Sequence, residues 1–238
     1  MIIATAGHVD HGKSTLVQKL TGINTDRLQE EQDRGLTIDL GFAYTELGAY
    51  KLGFVDVPGH VRFINNMLAG VGSVDLALLV IAADDGIMPQ TLEHLAILEA
   101  LAIPEMILVI TKVDRVERLR LSEVSVATQH LLDDSIYTGT PVLHCSATTG
   151  DGIAALKSLL VPRAGSLAER KSSGYLRLAI DRSFTGTGSG SVVTGALRSG
   201  GVTLSADIRH PSRKPSFQVR GLHRFTTVAA SASPGGLV

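Results

Sequence analysis

A mostly parallel α/β sheet flanked by helices, followed by a small antiparallel β-barrel, is the fold class that this sequence of 238 residues predicts. Three observations point there. Short runs of Ile, Val and Leu alternate with helix-length patterns through the first two thirds of the chain. Past a polar stretch punctuated by Pro and Gly at 161–174, only short alternating segments separated by glycines follow. The charge changes sign at the same place: residues 1–162 carry 11 Lys/Arg against 20 Asp/Glu (net −9), and residues 163–238 carry 11 against 3 (net +8). The overall net charge of −1 therefore hides two different halves. The expected organisation is a first domain at 1–163, a linker at 164–173 and a second domain at 174–238, complete or cut short.

Taken in order, Ile2–Ala6, Leu52–Val55, Leu76–Ala82, Met106–Ile110 and Pro141–Cys145 each read as a strand buried on both faces. Helical patterns lie between them at Lys13–Leu20, Arg62–Leu68, Gln90–Leu101, Val116–Leu132 and Gly152–Leu160. Strand alternating with helix builds a parallel sheet through crossover connections. Beyond the linker, Leu176/Leu178/Ile180, Val192/Val193, Val202/Leu204 and Val219/Leu222 alternate over short spans with no helical period, which suggests the barrel. Cys145 is the only cysteine, so an intramolecular disulfide framework is excluded and a reducing cytoplasm fits. The apolar start is too short for a signal peptide, and the run Leu76–Ala83 falls far below the roughly 20 residues of a membrane helix. No membrane partner is expected.

Four motifs carry chemistry. Gly7-His8-Val9-Asp10-His11-Gly12-Lys13-Ser14, with Thr15 next, has the spacing G-x-x-x-x-G-K-[ST] between a strand and a helix. There glycines let backbone N–H groups wrap a phosphate, Lys13 reaches its oxygens, Ser14 offers a hydroxyl to Mg²⁺, and the helix dipole favours the negative charge. Asp56-Val57-Pro58-Gly59-His60 puts a carboxylate at a strand end, placed to anchor the metal, before a turn whose Gly59 N–H can meet a terminal phosphate. Taken alone it is also an ordinary turn. Thr111-Lys112-Val113-Asp114 ends another apolar strand, and a carboxylate there can accept both N–H donors of a guanine edge. A solvated Lys–Asp loop is the alternative. Ser146-Ala147-Thr148 supplies a turn whose backbone N–H can face the guanine carbonyl.

In this order, on successive strand ends, these motifs make residues 1–160 resemble the GTP-binding domain of the translational GTPases, a P-loop GTPase fold. The resemblance implies GTP/GDP and Mg²⁺ as cofactors. It also implies that Thr37, within Arg34-Gly35-Leu36-Thr37, contacts Mg²⁺ and the γ-phosphate, and that His60 orients the attacking water beside an apolar gate of Val9 and Leu36. No arginine finger stands in these loops, so unassisted hydrolysis is expected to be slow, with the ribosome settling His60 into place.

Within that family the sequence is similar to the selenocysteine-specific elongation factors, the SelB group, along essentially its whole length. Leu36–Tyr44, Gln90–Leu98, Leu178–Phe184 and Gly188–Gly195 carry the likeness. Thr111 replaces the usual Asn of the guanine motif, a departure familiar in this group. The resemblance implies that the protein delivers selenocysteinyl-tRNA to the ribosome at recoded UGA codons. It further implies that Asp181 and Arg182 belong to the aminoacyl pocket, where a fixed arginine can tell an ionised selenol from a neutral serine. An exposed Asp–Arg pair on a strand would look the same. The mRNA hairpin is expected to be read by regions that this chain lacks. Other readings remain open: a general tRNA-delivery or initiation GTPase, a non-catalytic guanine-nucleotide fragment, and more distantly a small-molecule kinase. His8 and His11 lack a third ligand at zinc spacing, Cys145 reads as a core residue, and His94 reads as a surface or packing residue.

Overall fold

The computed structural model describes residues 1–25, 40–58, 74–168, 174–186, 190–209, 216–224 and 227–232. The helix expected at Arg62–Leu68 and the segment Arg34–Thr37 lie outside the described residues, as do Gly59 and His60. The chain divides into two compact units, Met1–Gly165 and Ser166–Val238.

In the first unit a six-stranded sheet runs in the order β2-β3-β1-β4-β5-β6. Its strands are β1 (Ile2–Ala6), β2 (Gly41–Leu47), β3 (Tyr50–Asp56), β4 (Leu76–Ala82), β5 (Met106–Thr111) and β6 (Val142–His144). β2 pairs antiparallel with β3, and every other pairing is parallel. All residues of β1, β4 and β5 are buried, as expected of largely apolar central strands in a parallel sheet. β1 lies between β3 and β4, so the chain leaves it toward one side of the sheet and returns on the other. Such a reversal opens a crevice at the carboxyl end of the central strand.

Four helices are described: α1 (Lys13–Thr21), α2 (Pro89–Ala100), α3 (Arg118–Asp133) and α4 (Ile153–Ala168). Gly12 starts α1 in the left-handed region at φ 81°, and Gly22 ends it at φ 78° with its N–H donating to the Gln18 carbonyl. α2 begins with Pro89 in the first turn, where its missing N–H costs nothing, and Thr91 Oγ1 accepts the Met88 N–H at 3.3 Å.

α4 departs from expectation, because it continues through Pro162 to Ala168 and so occupies the first residues of the expected linker. Packing explains this. Leu156, Leu160 and Ala164 form one buried stripe that spans the proline, and Arg163 Nε donates to Glu105 Oε2 at 3.0 Å. At Gly165 the helix runs so close to β3 that a Cβ would lie 3.0 Å from the Tyr50 hydroxyl oxygen. Burial of that face offsets the penalty of about 3 kcal/mol for an interior proline.

The second unit is antiparallel throughout its described strands. A long hairpin of β7 (Arg177–Gly186) and β8 (Gly190–Ser199) is joined by the short pairs β9 (Val202–Thr203) with β14 (Ser231–Ala232), β10 (Asp207–Ile208) with β11 (Phe217–Gln218), and β12 (His223–Arg224) with β13 (Thr227–Val228). Leu197, Val202, Leu222 and Ala232 form its buried centre. The described ladders are separate two-stranded pairs, and closure into a barrel is not among them.

Candidate functional site

The crevice at the carboxyl edge of the sheet gathers the motifs. After β1 the chain turns at Gly7, where φ is 129° and a Cβ would sit 2.2 Å from the Val80 carbonyl oxygen. Only glycine fits that approach. Asp10 adopts φ 62°, and the loop then feeds α1 through Gly12. The first N–H groups of α1 point out of its amino terminus, the positive end of its dipole. Lys13 is 6% exposed, and its Nζ donates to the His8 carbonyl at 2.7 Å, folding the ammonium across the loop. A cradle of backbone donors with a lysine over its mouth suits a phosphate.

Asp56 closes β3 and is fully buried. Its Oδ1 accepts from the Thr5 hydroxyl and its Oδ2 from the Thr25 hydroxyl, both at 2.7 Å. Thr5 Oγ1 in turn accepts the Val57 N–H at 3.2 Å. A buried carboxylate needs such partners. Thr5 and Thr25 were not among the expected site residues. Thr5 stands as a polar residue inside an apolar strand, a signal that can be noticed, whereas nothing local marks Thr25.

Thr111, at the end of β5, donates its hydroxyl to the His11 carbonyl at 2.6 Å, with the Ile81 carbonyl 3.4 Å away. The hydroxyl ties the strand after β4 to the phosphate loop, the role a side-chain amide would fill. Lys112 follows in the left-handed region, φ 56°. Its Nζ lies 3.1 Å from Asp84 Oδ2 and 3.6 Å from Asp85 Oδ2, so the stem is anchored at its tip. Arg120 of α3 donates to the carbonyls of Asp84 and Asp85 at 3.2 and 3.3 Å, bracing the same turn. Asp84, Asp85 and Arg120 were missed from sequence; the doublet Asp84-Asp85-Gly86 just after a buried strand was the available signal.

Asp114 is exposed, and the Ser146 hydroxyl beside it, helped by Arg115, holds its carboxyl below the usual carboxylate range. Ser146 also accepts the Thr149 N–H on its side chain, and it spends its backbone N–H on the Asp151 carbonyl at 2.9 Å. Cys145, directly before it, is buried, and burial pushes its thiol up to about 11, in keeping with a core residue.

His8, His11 and His94 are all held below the usual histidine pKa. Burial, aided by Lys13 and His8, brings both His11 and His94 down to about 4, and burial lowers His8 too. His94, expected at the surface or in packing, is buried and accepts the Gly7 N–H on Nδ1 at 2.8 Å. Gln90, one turn earlier on α2, accepts the Val9 N–H on Oε1 at 3.1 Å. Among the described residues no cluster of three or more His, Cys, Asp or Glu is arranged to hold a metal ion. Ser14 and Asp56 carry oxygen donors, and both carboxylate oxygens of Asp56 accept from the Thr5 and Thr25 hydroxyls.

The structure thus brings Gly7 to Thr15, Asp56, Thr111, Lys112, Asp114, Ser146 and Ala147 to one edge of one sheet. Thr37, Gly59 and His60 lie outside the described residues, and so do the side chains of Asp181 and Arg182. On the backbone, Arg182 pairs with Thr194 and the β7–β8 register shifts between Ile180 and Arg182. Among the described residues no helix is long and apolar enough to cross a membrane.

Comparison with known proteins agrees with this architecture. Residues 1–166 match the family model of the elongation factor Tu GTP binding domain. The chain is 46% identical over 236 residues to the selenocysteine-specific elongation factor of Desulfomicrobium baculatum, covering 99% of this chain and 37% of that protein. It superposes on the crystal structure of a bacterial selenocysteine-specific elongation factor with a TM-score of 0.92 at 36% identity, covering 100% of this chain and 41% of the other. It superposes on the Methanococcus maripaludis elongation factor SelB, crystallised with the GTP analogue GppNHp, with a TM-score of 0.84 at 30% identity, covering 100% and 50%. The chain therefore spans well under half the length of the Desulfomicrobium protein. It belongs to the elongation factor Tu GTP-binding family of translational GTPases, with the selenocysteine-specific elongation factors as relatives along its whole length.

Proposed function

We propose that this chain is the nucleotide switch and second domain of a selenocysteine-specific elongation factor. It binds GTP and GDP with Mg²⁺, hydrolyses GTP on the ribosome in the cytoplasm, and delivers selenocysteinyl-tRNA at recoded UGA codons. The observation that supports this most directly is the convergence of the phosphate loop, Asp56 and the Thr111–Asp114 loop on one sheet edge.

Lys13 and the amino terminus of α1 hold the phosphates. Asp114, kept ionised by Ser146, accepts from the guanine edge, and the Lys112 stem covers the base. Because Ser146 uses its own N–H on Asp151, the donor toward the guanine carbonyl falls to Ala147. The oxygen donors of Ser14 and Asp56 fit a hard divalent cation, with Thr37 as a further ligand. Mg²⁺ supplies neutralisation of charge on the phosphate oxygens. His60 orients the attacking water, and Gly59 offers its N–H to the γ-phosphate.

In the second unit the short antiparallel pairs are read as parts of a small β-barrel. Its 10 Lys/Arg against 3 Asp/Glu over 166–238, a net charge of +7, suit tRNA phosphates, and Asp181 and Arg182 are assigned to the aminoacyl pocket. The mRNA hairpin is read by regions outside this chain.

Binding of selenocysteinyl-tRNA and of seryl-tRNA to the GTP-loaded protein tests the proposal. A clear preference for the former is expected; equal affinity sinks the selenocysteine reading and favours a general tRNA-delivery or initiation GTPase. Asp114→Asn tests the base assignment separately, since exchanging carboxylate for amide reverses one hydrogen-bond requirement and should move preference from guanine to xanthine nucleotides. Unchanged GTP binding in that variant counts against the guanine role.

A further inference from the structure

Two backbone donors of the phosphate loop are bonded to side chains of α2. The Gly7 N–H goes to His94 Nδ1 at 2.8 Å and the Val9 N–H to Gln90 Oε1 at 3.1 Å. Both acceptors come from the first two turns of α2, at positions i and i+4, which lie one above the other on a single helical face. His94 is 3% exposed, and Thr91 and Leu95 beside it are buried, so the face is held against the sheet. His94 can accept at Nδ1 only as the neutral imidazole.

We infer that Gln90 and His94 are positioning residues for the phosphate loop, and that α2 is a strut that keeps the early half of the loop from collapsing into the phosphate space. The division of labour is then explicit. Gly7 and Val9 spend their N–H groups on α2, and the donors for phosphate come from the later half, Asp10 to Ser14. This rests on the nucleotide-binding reading above.

Release of a fluorescent GDP analogue, followed by stopped flow, tests it. An Asn side chain places its Oδ1 near the position of a His Nδ1, whereas a Gln places its acceptor near Nε2. His94→Gln should therefore speed GDP release roughly tenfold, by the loss of one buried hydrogen bond. His94→Asn should stay within about twofold of the wild type. Both variants lose the imidazole packing, so a merely structural role would move both release rates together, and that result overturns the inference. Gln90→Met, at a half-buried position, provides a second arm with His94 intact. It should speed release severalfold, and an unchanged rate there also counts against the strut. A wild-type protein that binds no guanine nucleotide overturns the proposed function itself, a different outcome from tight binding with indifferent variants.

Discussion

Thr111 shows how one side chain can replace a chemically different one when geometry allows. Its hydroxyl carries a single proton, and the 2.6 Å contact to the His11 carbonyl uses it, leaving the 3.4 Å approach to Ile81 secondary. Thr111→Val keeps the shape and removes the donor, leaving a buried carbonyl unpaired at a cost of about 1–2 kcal/mol. Nucleotide affinity measured by fluorescence titration should fall roughly tenfold, whereas Thr111→Ser should retain most of it. Equal behaviour of the two variants would show that the hydroxyl is not the tether. At this scale the sequence displayed residues placed by their immediate neighbours, such as Lys13 following Gly12. It concealed His94, Gln90, Thr25 and Asp84, whose partners lie 87, 81, 31 and 28 positions away in the chain. No local pattern encodes a contact across that distance.

Among the elements, the loop between β1 and α1 is tightly specified. Gly7 combines a φ of 129° with a space that a Cβ would overfill, because the Val80 carbonyl oxygen would be 2.2 Å away. Gly12 has φ 81°, yet a Cβ there would meet nothing nearer than 3.9 Å. Gly7→Ala should therefore cost about 2 kcal/mol or more and lower Tm by roughly 5 °C, with loss of nucleotide binding. Gly12→Ala should cost about 1 kcal/mol. Thermal unfolding of the two variants checks the order, and an equal loss of stability would contradict the close approach at Gly7. β1, β4, β5 and the end of β3 were readable because each is a mostly apolar run, and the starts of α1 and α2 because Gly12 and Pro89 punctuate them. β2 was not expected, since Thr45 and Glu46 break its apolar pattern, and β6, expected to be buried on both faces, is half-buried at Val142 and Leu143 and exposed at His144 because it pairs on one side only, at the edge of the sheet. The end of α4 was not, since Pro162 argues locally for a stop and only the buried stripe of Leu156, Leu160 and Ala164 overrides it.

For the whole molecule, the buried histidines tie stability to pH. His11 and His94 titrate near 6.5 in an unfolded chain and near 4 in the fold, where burial and the charges of Lys13 and His8 oppose protonation, only partly countered at His11 by Asp85 and the Val80 carbonyl. The unfolded state therefore takes up protons that the native state refuses. Stability is fully present above pH 6.5 and is lost as pH falls toward 4. Each histidine contributes on the order of 3 kcal/mol to that loss. Urea midpoints measured at pH 7, 6 and 5 should decline through this window, and the decline should be shallower in His94→Asn. A midpoint that stays level from pH 7 to pH 5 would contradict it.

The sequence by itself determined the alternation of strand and helix in the first unit, the change to antiparallel strands in the second, and the four motifs with the family they identify. Each of these is written in periodicity, punctuation or short spacing, which are properties of neighbouring residues. The tertiary structure alone decided that α2 braces the phosphate loop through His94 and Gln90, that Thr5 and Thr25 hold Asp56, and that Asp84 and Asp85 anchor Lys112. The sheet order β2-β3-β1-β4-β5-β6 brings the ends of distant strands to one edge, and a hydrogen bond formed there depends on that placement, not on the order of residues along the chain.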